Sequence, residues 1–206
     1  MIGVDEERHR EISWPLSSKP LCRSTYFSVY DFTKGNQVVD ENEFEQDQIL
    51  QNFTGCLNLL RASIDGFPES ELGFSRNQDE WTIREIIHHI TDGDYIWKIC
   101  IQMAMGESDH PFHLKWYWET DQVRWSHLWG YSSRGIEPSL ALLEANRNHV
   151  VELLRKIPGS LSRTIKIEWP SGDHEEVNVK WVLEMQTSHI EGHVEEIRKI
   201  REVNNI

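Results

Sequence analysis

Cysteine is scarce in this sequence, and the few cysteines lie far apart. Only Cys22, Cys56 and Cys100 occur among 206 residues, and no two of them form a CxxC pair. An odd number of widely spaced cysteines argues against a disulfide framework and is typical of free thiols in a reducing compartment. We therefore predict a cytoplasmic protein, in which a lone cysteine such as Cys22 is inert.

Long hydrophobic runs are also missing. The sequence contains no run of about 18 apolar residues, the length that a membrane-spanning helix requires. The N-terminal stretch MIGVDEERHREISWP has neither the apolar core nor the small-residue cleavage site of a secretory signal. We therefore expect a protein without a membrane partner.

Basic residues are outnumbered by acidic ones. The sequence has 21 Lys and Arg against 34 Asp and Glu, which gives a formal net charge of −13. A phosphate-binding surface needs clustered Lys and Arg, whereas here they are scattered. We therefore expect no nucleic-acid partner. The partner that we expect is a small-molecule substrate. A length of 206 residues with 38% hydrophobic content is ordinary for one globular domain.

Four stretches carry apolar residues at steps of three and four, the pattern of amphipathic helices. A capping box is predicted at the start of the second, because Glu85 follows Thr82 by three residues. Two extended segments that flank a Pro-Ser-Gly-Asp turn predict a β-hairpin before the fourth helix. The helices are predicted at about residues 42–64, 83–105, 137–157 and 179–203, and the strands at about 164–169 and 175–177.

The connection between the second and third helices is long and aromatic. Two interpretations stay open: the rings plug one end of a bundle, or they form a lid over a pocket. A short helix is predicted within it at about 119–129. Its rings, within residues 107–136, are Phe112, Trp116, Tyr117, Trp118, Trp125, Trp129 and Tyr131.

The predicted fold is all-α, a four-helix bundle decorated by the aromatic loop and the small β-hairpin. We assign residues 39–206 to this bundle domain. Residues 1–38, with a short extended piece at 26–32, are assigned to an N-terminal arm.

The fourth helix carries His189 and His193 on its apolar side. At about 100° per residue they share a face with Val182, Gln186 and Ile197. Two imidazoles one helical turn apart are close enough to bind one metal ion. A pair of core histidines satisfied by hydrogen bonds is the alternative.

The second helix carries His88 and His89, which the helical wheel separates. His89 lies at the flank of the apolar stripe around Ile86, whereas His88 points close to the opposite face. We therefore expect His89 to face the bundle interior and His88 to face solvent or a rim contact. With His189 and His193, His89 gives three nitrogens and open positions, as in catalytic metal sites. Imidazole suits zinc, nickel, iron or copper.

A carboxylate follows two of these histidines by one turn. Asp92 follows His89, and Glu196 follows His193. Each acid is a candidate to orient its histidine by accepting a hydrogen bond from the second ring nitrogen. Glu196 is also a candidate fourth ligand or general base, and simple exposure is the alternative for both acids.

Two segments resemble the DinB-like superfamily. WTIREIIHHITD, residues 81–92, resembles its second-helix signature: a tryptophan and a small hydroxyl residue, a histidine eight positions after the tryptophan, and then an aspartate. HIEGHVEEI, residues 189–197, resembles its fourth-helix HxxxH. The match runs over about residues 43–203, leaves the N-terminal arm outside, and is most similar to the YfiT-type branch of metal-dependent hydrolases.

The resemblance implies a homodimeric four-helix bundle that binds a divalent metal, often nickel or zinc. By position the ligands are His89, His189 and His193. Some relatives are thiol-dependent transferases or isomerases that use bacterial low-molecular-weight thiols, and others are described as hydrolases. Glu196 stands where relatives often carry glutamine.

We therefore expect a metal-dependent enzyme, and we favour transfer of a low-molecular-weight thiol to a small electrophile over hydrolysis. A thiol with carboxylates calls for a cationic group, for which the candidates are Arg84, Arg124 and Arg134. Hydrolysis requires a general base, and Glu196 is the candidate. The alternatives are a non-catalytic metal-binding or stress-associated protein and a decayed site. Because structural metal sites are closed by four protein ligands, three ligands favour an enzyme.

Overall fold

The structure is a computed structural model that describes residues 41–206. The predicted N-terminal arm, its extended piece and Cys22 lie outside these residues. None of the helices is long and apolar enough to cross a membrane in the part described. The helices are α1 (Glu41–Ile64), α2 (Ile83–Met105), the short α3 (Lys115–Trp118) and α4 (Gln122–Leu128), α5 (Ile136–Lys156) and α6 (Val179–Asn204).

The four long helices, α1, α2, α5 and α6, form the predicted bundle. Lys180 pairs with Glu45 near the starts of α6 and α1, and Arg201 reaches the Ser63 carbonyl near their ends, so these two helices run parallel. By the same reasoning α2 and α5 are parallel, because contacts join His88 to Ser139 and, further along both helices, Lys98 to Asn146. The long α2–α5 connection exists because two parallel helices cannot be joined by a short turn.

Local hydrogen bonds fix where α2 and α6 begin. The predicted capping box is confirmed: the Thr82 hydroxyl accepts from the Glu85 amide at 3.3 Å, and the Glu85 carboxylate accepts from the Thr82 amide at 2.9 Å. The Asn178 side chain accepts from the Trp181 amide at 2.8 Å. These caps satisfy amides that have no partner within the helix, and they define where the two helices that carry the histidines begin.

A small sheet covers one end of the bundle. The predicted hairpin is confirmed as β2 (Thr164–Glu168) and β3 (His174–Asn178), which pair antiparallel. A third strand, β1 (Phe112–His113), pairs parallel with β2 and anchors the aromatic segment. The sequence did not predict it, because two residues are too short to show an alternating pattern.

The core consists of two hydrophobic clusters separated by a polar layer. Each long helix contributes residues to both clusters. Where the two clusters meet, α2, α5 and α6 place Asp94, Arg147 and Gln186, all buried. This layer divides the core about halfway along the bundle.

Arg147 connects all four long helices. Its guanidinium is 1% exposed and pairs with Asp94 of α2 at 2.8 Å. It also donates to the Phe53 carbonyl and to the Cys56 Sγ of α1, and to the Gln186 carbonyl of α6. Burial raises the pKa of Asp94, and the charge and hydrogen bonds of Arg147 oppose that rise. The net effect is a raised pKa for Asp94, so Arg147 only partly offsets the cost of burying this carboxylate.

Replacing Arg147 with alanine should lower the free energy of unfolding by about 3–5 kcal/mol, because Asp94 would be left buried without its counter-charge. Urea denaturation measures the change. The matched control is Arg61→Ala, which breaks an exposed pair between α1 and Glu144 of α5. An exposed pair contributes about 0–1 kcal/mol. Equal losses in the two variants would contradict a central role for the buried layer.

Candidate metal centre

Three imidazoles converge between α2 and α6. His89 extends from α2, and His189 and His193 extend from adjacent turns of α6. The Nε2 atom of His189 lies 3.2 Å from that of His89 and 3.0 Å from that of His193. Candidate ligand atoms of all three lie within 4.8 Å of one another. The structure therefore brings the predicted trio together through the same ring nitrogen of each residue.

The spacing of these nitrogens fits one divalent ion. Ligand nitrogens on a tetrahedral zinc ion, with bonds of about 2.05 Å, lie about 3.3 Å apart. The observed separations of 3.0 and 3.2 Å are close to that value. The two α6 histidines are also only partly buried, which leaves the trio accessible to a ligand from outside. The donor set and its openness are those of a catalytic type of site.

The environment favours neutral imidazoles. Burial holds the pKa of His89 well below its usual range, and the neighbouring His193 lowers it further. The pKa of His189 is likewise well below its usual range, through burial first and then through His193, His89 and Arg147. Neutral imidazole is the form that binds metals, so these two histidines are in their ligand form near neutral pH.

Glu196 orients His193, one of the roles considered for it from the sequence. Its Oε2 lies 3.0 Å from Nδ1 of His193, and its Oε1 lies 3.7 Å from Arg76. Burial raises the pKa of Glu196, but the His193 hydrogen bond and the charges of His193, Arg76 and Lys199 outweigh it, so the pKa is lowered. An ionised carboxylate can only accept, so Nδ1 of His193 is the donor in this hydrogen bond, and Nε2 is the ring nitrogen that faces His189.

Asp92 does not meet the histidines as the sequence led us to expect. Its carboxylate accepts a hydrogen bond from the Tyr131 hydroxyl at 2.8 Å and lies 3.7 Å from Arg134. The reason is the 3₁₀ turn Tyr131–Ser133, which packs on this flank of α2. Asp92 therefore links the end of the aromatic connection to α2. No hydrogen bond joins Asp92 to His89 within the described residues.

The prediction that His88 faces solvent or a rim contact is wrong. His88 is fully buried: its Nδ1 lies 2.8 Å from the Ser139 hydroxyl, and its Nε2 lies 3.3 Å from the Arg134 carbonyl. The helical-wheel prediction assumed that α2 buries only one face. In the structure α2 buries two faces, because α6 packs against one side of it and α5 packs against another. His88 is thus a core histidine, satisfied by hydrogen bonds on the α5 side.

Two residues near the site were not singled out as site residues by the sequence reasoning. The ring of Trp81 packs against His89, with centroids 4.4 Å apart, and lies 6.3 Å from His193. The position of Trp81 at the start of the second-helix signature is the one feature of the sequence that could have pointed to its place at the site. Arg76, which faces Glu196, lies in an irregular connection where periodicity carries no information.

The aromatic connection mostly fills the core. Trp125 and Trp129 stack with centroids 4.5 Å apart, and Trp118 stacks on Trp169 of the hairpin segment at 4.9 Å. These rings pack against the cluster on the far side of the polar layer from Trp81. The arrangement favours the interpretation that the rings plug one end of the bundle.

Comparison with known proteins agrees with this fold and site. A profile of the DinB superfamily matches residues 52–197. Two curated proteins, both named "putative metal-dependent hydrolase", are 32% identical: one from Oceanobacillus iheyensis over 109 residues, and one from Halalkalibacterium halodurans over 117. These matches cover 52% and 56% of this chain, and 60% and 62% of the relatives. The chain therefore matches only about three fifths of the length of these relatives.

A solved structure supports the fold separately. YfiT from Bacillus subtilis, described as "a probable metal-dependent hydrolase with an unusual four-helix bundle topology", superposes with a TM-score of 0.67 at 19% identity. The superposition covers 82% of this chain and 91% of YfiT. The fold and the three histidines thus define a helical bundle with a candidate metal centre. The chain belongs to the DinB superfamily.

Replacing His189 with alanine should abolish stoichiometric binding of zinc or nickel, because its nitrogen lies between the other two. Elemental analysis of protein purified without a histidine tag measures ions per chain. The matched control is His88→Gln, which removes a neighbouring histidine that faces α5 and should leave about one ion per chain. Metal retained by the His189 variant, or lost only by the His88 variant, would contradict the ligand assignment.

Proposed function

We propose that this protein is a metal-dependent enzyme that transfers a low-molecular-weight thiol to a small electrophile. His89, His189 and His193 would hold one divalent ion, zinc or nickel. When bound, such an ion supplies Lewis acidity and lowers the pKa of a thiol that binds to it. In the overall reaction the thiol loses its proton, its sulfur bonds to the electrophilic carbon, and the leaving group departs with its bonding electrons.

The observation that carries the proposal is the engagement of Glu196. Hydrolysis needs a general base free to take a proton from water. Both Glu196 oxygens already face cationic or donor groups, Oε2 toward His193 and Oε1 toward Arg76. These contacts support a role for Glu196 in orienting His193 rather than in taking a proton. A thiol is far more acidic than water, so its transfer at a metal centre would need no general base.

The predicted cationic candidates differ in their surroundings. Arg84 is buried and bound to Glu69 and to the Arg134 carbonyl, so its guanidinium is already committed to the protein. Arg134 is exposed and lies 3.7 Å from Asp92, which follows His89 by three residues on α2. Arg124 is exposed on α4. Arg134 is therefore our preferred partner for a carboxylate of the thiol substrate.

A metal-dependent hydrolase is the second candidate, and the names of the curated relatives favour it. In that reaction Glu196 would leave His193 to serve as the general base. For both the thiol transferase and the hydrolase, the identity of the metal as zinc or nickel and the homodimeric state stay predictions.

The variant Glu196→Gln separates the two candidates. Glutamine can still accept from Nδ1 of His193 through its amide oxygen, but it cannot take a proton. In zinc-loaded protein, transfer of cysteine or glutathione to 1-chloro-2,4-dinitrobenzene should fall by less than about tenfold, whereas loss of a general base costs about 10²–10⁴-fold.

The control for this experiment is His189→Ala, which should abolish the reaction by removing the metal. Ester hydrolysis that depends on zinc and disappears in Glu196→Gln, without thiol transfer in the wild type, would establish the hydrolase instead. A loaded protein inactive in both assays against a broad set of electrophiles and esters would favour a non-catalytic metal-binding role.

A further inference from the structure

The indole of Trp81 forms a wall of the three-histidine centre. Its ring is 8% exposed and lies against His89 and His193. The following residue, Thr82, is locked by the capping box with Glu85, and the Ile83 amide donates to the Phe74 carbonyl at 3.0 Å. The ring is buried and the backbone that follows it is hydrogen-bonded, so the position of the indole is fixed in the protein without a ligand.

The indole N–H of Trp81 is buried and has no acceptor within the described residues. An indole nitrogen can only donate, and burying a donor without a partner is unfavourable. Other indoles here do find acceptors: Trp125 donates to the Tyr117 carbonyl and Trp169 to the Glu175 carboxylate. The missing acceptor at Trp81 therefore calls for an explanation.

The acidic group of the site is not that acceptor. The oxygens of Glu196 face His193 and Arg76, and no hydrogen bond joins them to Trp81 in the described chain. The Nε2 atoms of the three histidines face one another, and the Trp81 ring lies against two of these imidazoles. A metal held by three protein nitrogens would have room for a further ligand, and an anion bound there would be able to accept a hydrogen bond.

We propose that the Trp81 indole N–H donates a hydrogen bond to the anionic ligand held at the three-histidine centre, the thiolate of the substrate. Trp81 is then a substrate-binding residue that recognises a metal-held anion by a fixed donor. A donor-only group suits an anion and rejects a cation. This inference rests on the proposed metal site and names the contact by which the chain itself recognises the thiolate.

The test uses cobalt-loaded full-length protein and 2-mercaptoethanol as the probe. Thiolate binding to cobalt is followed by its near-ultraviolet charge-transfer band. Trp81→Phe keeps an aromatic ring against His89 but removes the N–H. We expect the dissociation constant for 2-mercaptoethanol to rise about tenfold, the size of one hydrogen bond to a charged group, while the affinity for cobalt changes by less than about twofold.

Trp118→Phe is the matched control. Its indole N–H is also buried without an acceptor in the described part of the chain, but its ring stacks on Trp169 rather than on a histidine. This variant should bind 2-mercaptoethanol like the wild type. Unchanged thiol affinity in Trp81→Phe, or equal loss in both variants, would overturn the role of Trp81 and leave the proposed function standing. Failure of the wild type to bind cobalt would overturn the proposed function first.

A measurement on the wild type covers the case in which Trp81→Phe does not fold. The assigned indole Nε1–H resonance of Trp81 is followed by NMR in zinc-loaded protein labelled with ¹⁵N-tryptophan. Addition of 2-mercaptoethanol should shift this resonance downfield, and the same addition to metal-free protein should not. A resonance that stays in place while the thiol binds zinc would contradict the hydrogen bond.

Discussion

The buried ion pair between Arg147 and Asp94 is the interaction on which the bundle depends. It ties α5 to α2, and further hydrogen bonds of the same guanidinium reach α1 and α6. A charged side chain is tolerated in a core only when its hydrogen bonds are satisfied. The four helices must therefore keep the rotations and axial positions at which these hydrogen bonds of Arg147 can form. The pair also acts electrostatically on the centre, since Arg147 contributes to the lowered pKa of His189.

The candidate metal centre lies next to this ion pair along α2 and α6. Gln186 of α6 donates to Asp94 at 3.0 Å, and His189 follows it by three residues on the same helix. On α2, Asp94 follows His89 by five residues. The same packing that fixes the ion pair therefore places His89 opposite His189 and His193. The centre is preorganised by a hydrogen-bonded layer beneath it, with Trp81 and Glu196 holding two of its rings.

Helical periodicity was sufficient for the elements that bury one face. It located the four long helices, the inward position of His89 and the one-turn spacing of His189 and His193. It failed where tertiary packing adds a second buried face: α5 covers His88, and the Tyr131 turn captures Asp92. Arg76 and the two-residue strand Phe112–His113 lie in irregular or very short segments, where partners come from distant parts of the chain and no local pattern indicates them.

The measurement that tests the central claim most directly is X-ray absorption spectroscopy of the zinc-loaded protein. We predict three imidazole nitrogens at about 2.0–2.1 Å, together with at least one oxygen from solvent. A sulfur neighbour at about 2.3 Å in the absence of added thiol, or fewer than three imidazoles, would contradict a centre built from His89, His189 and His193.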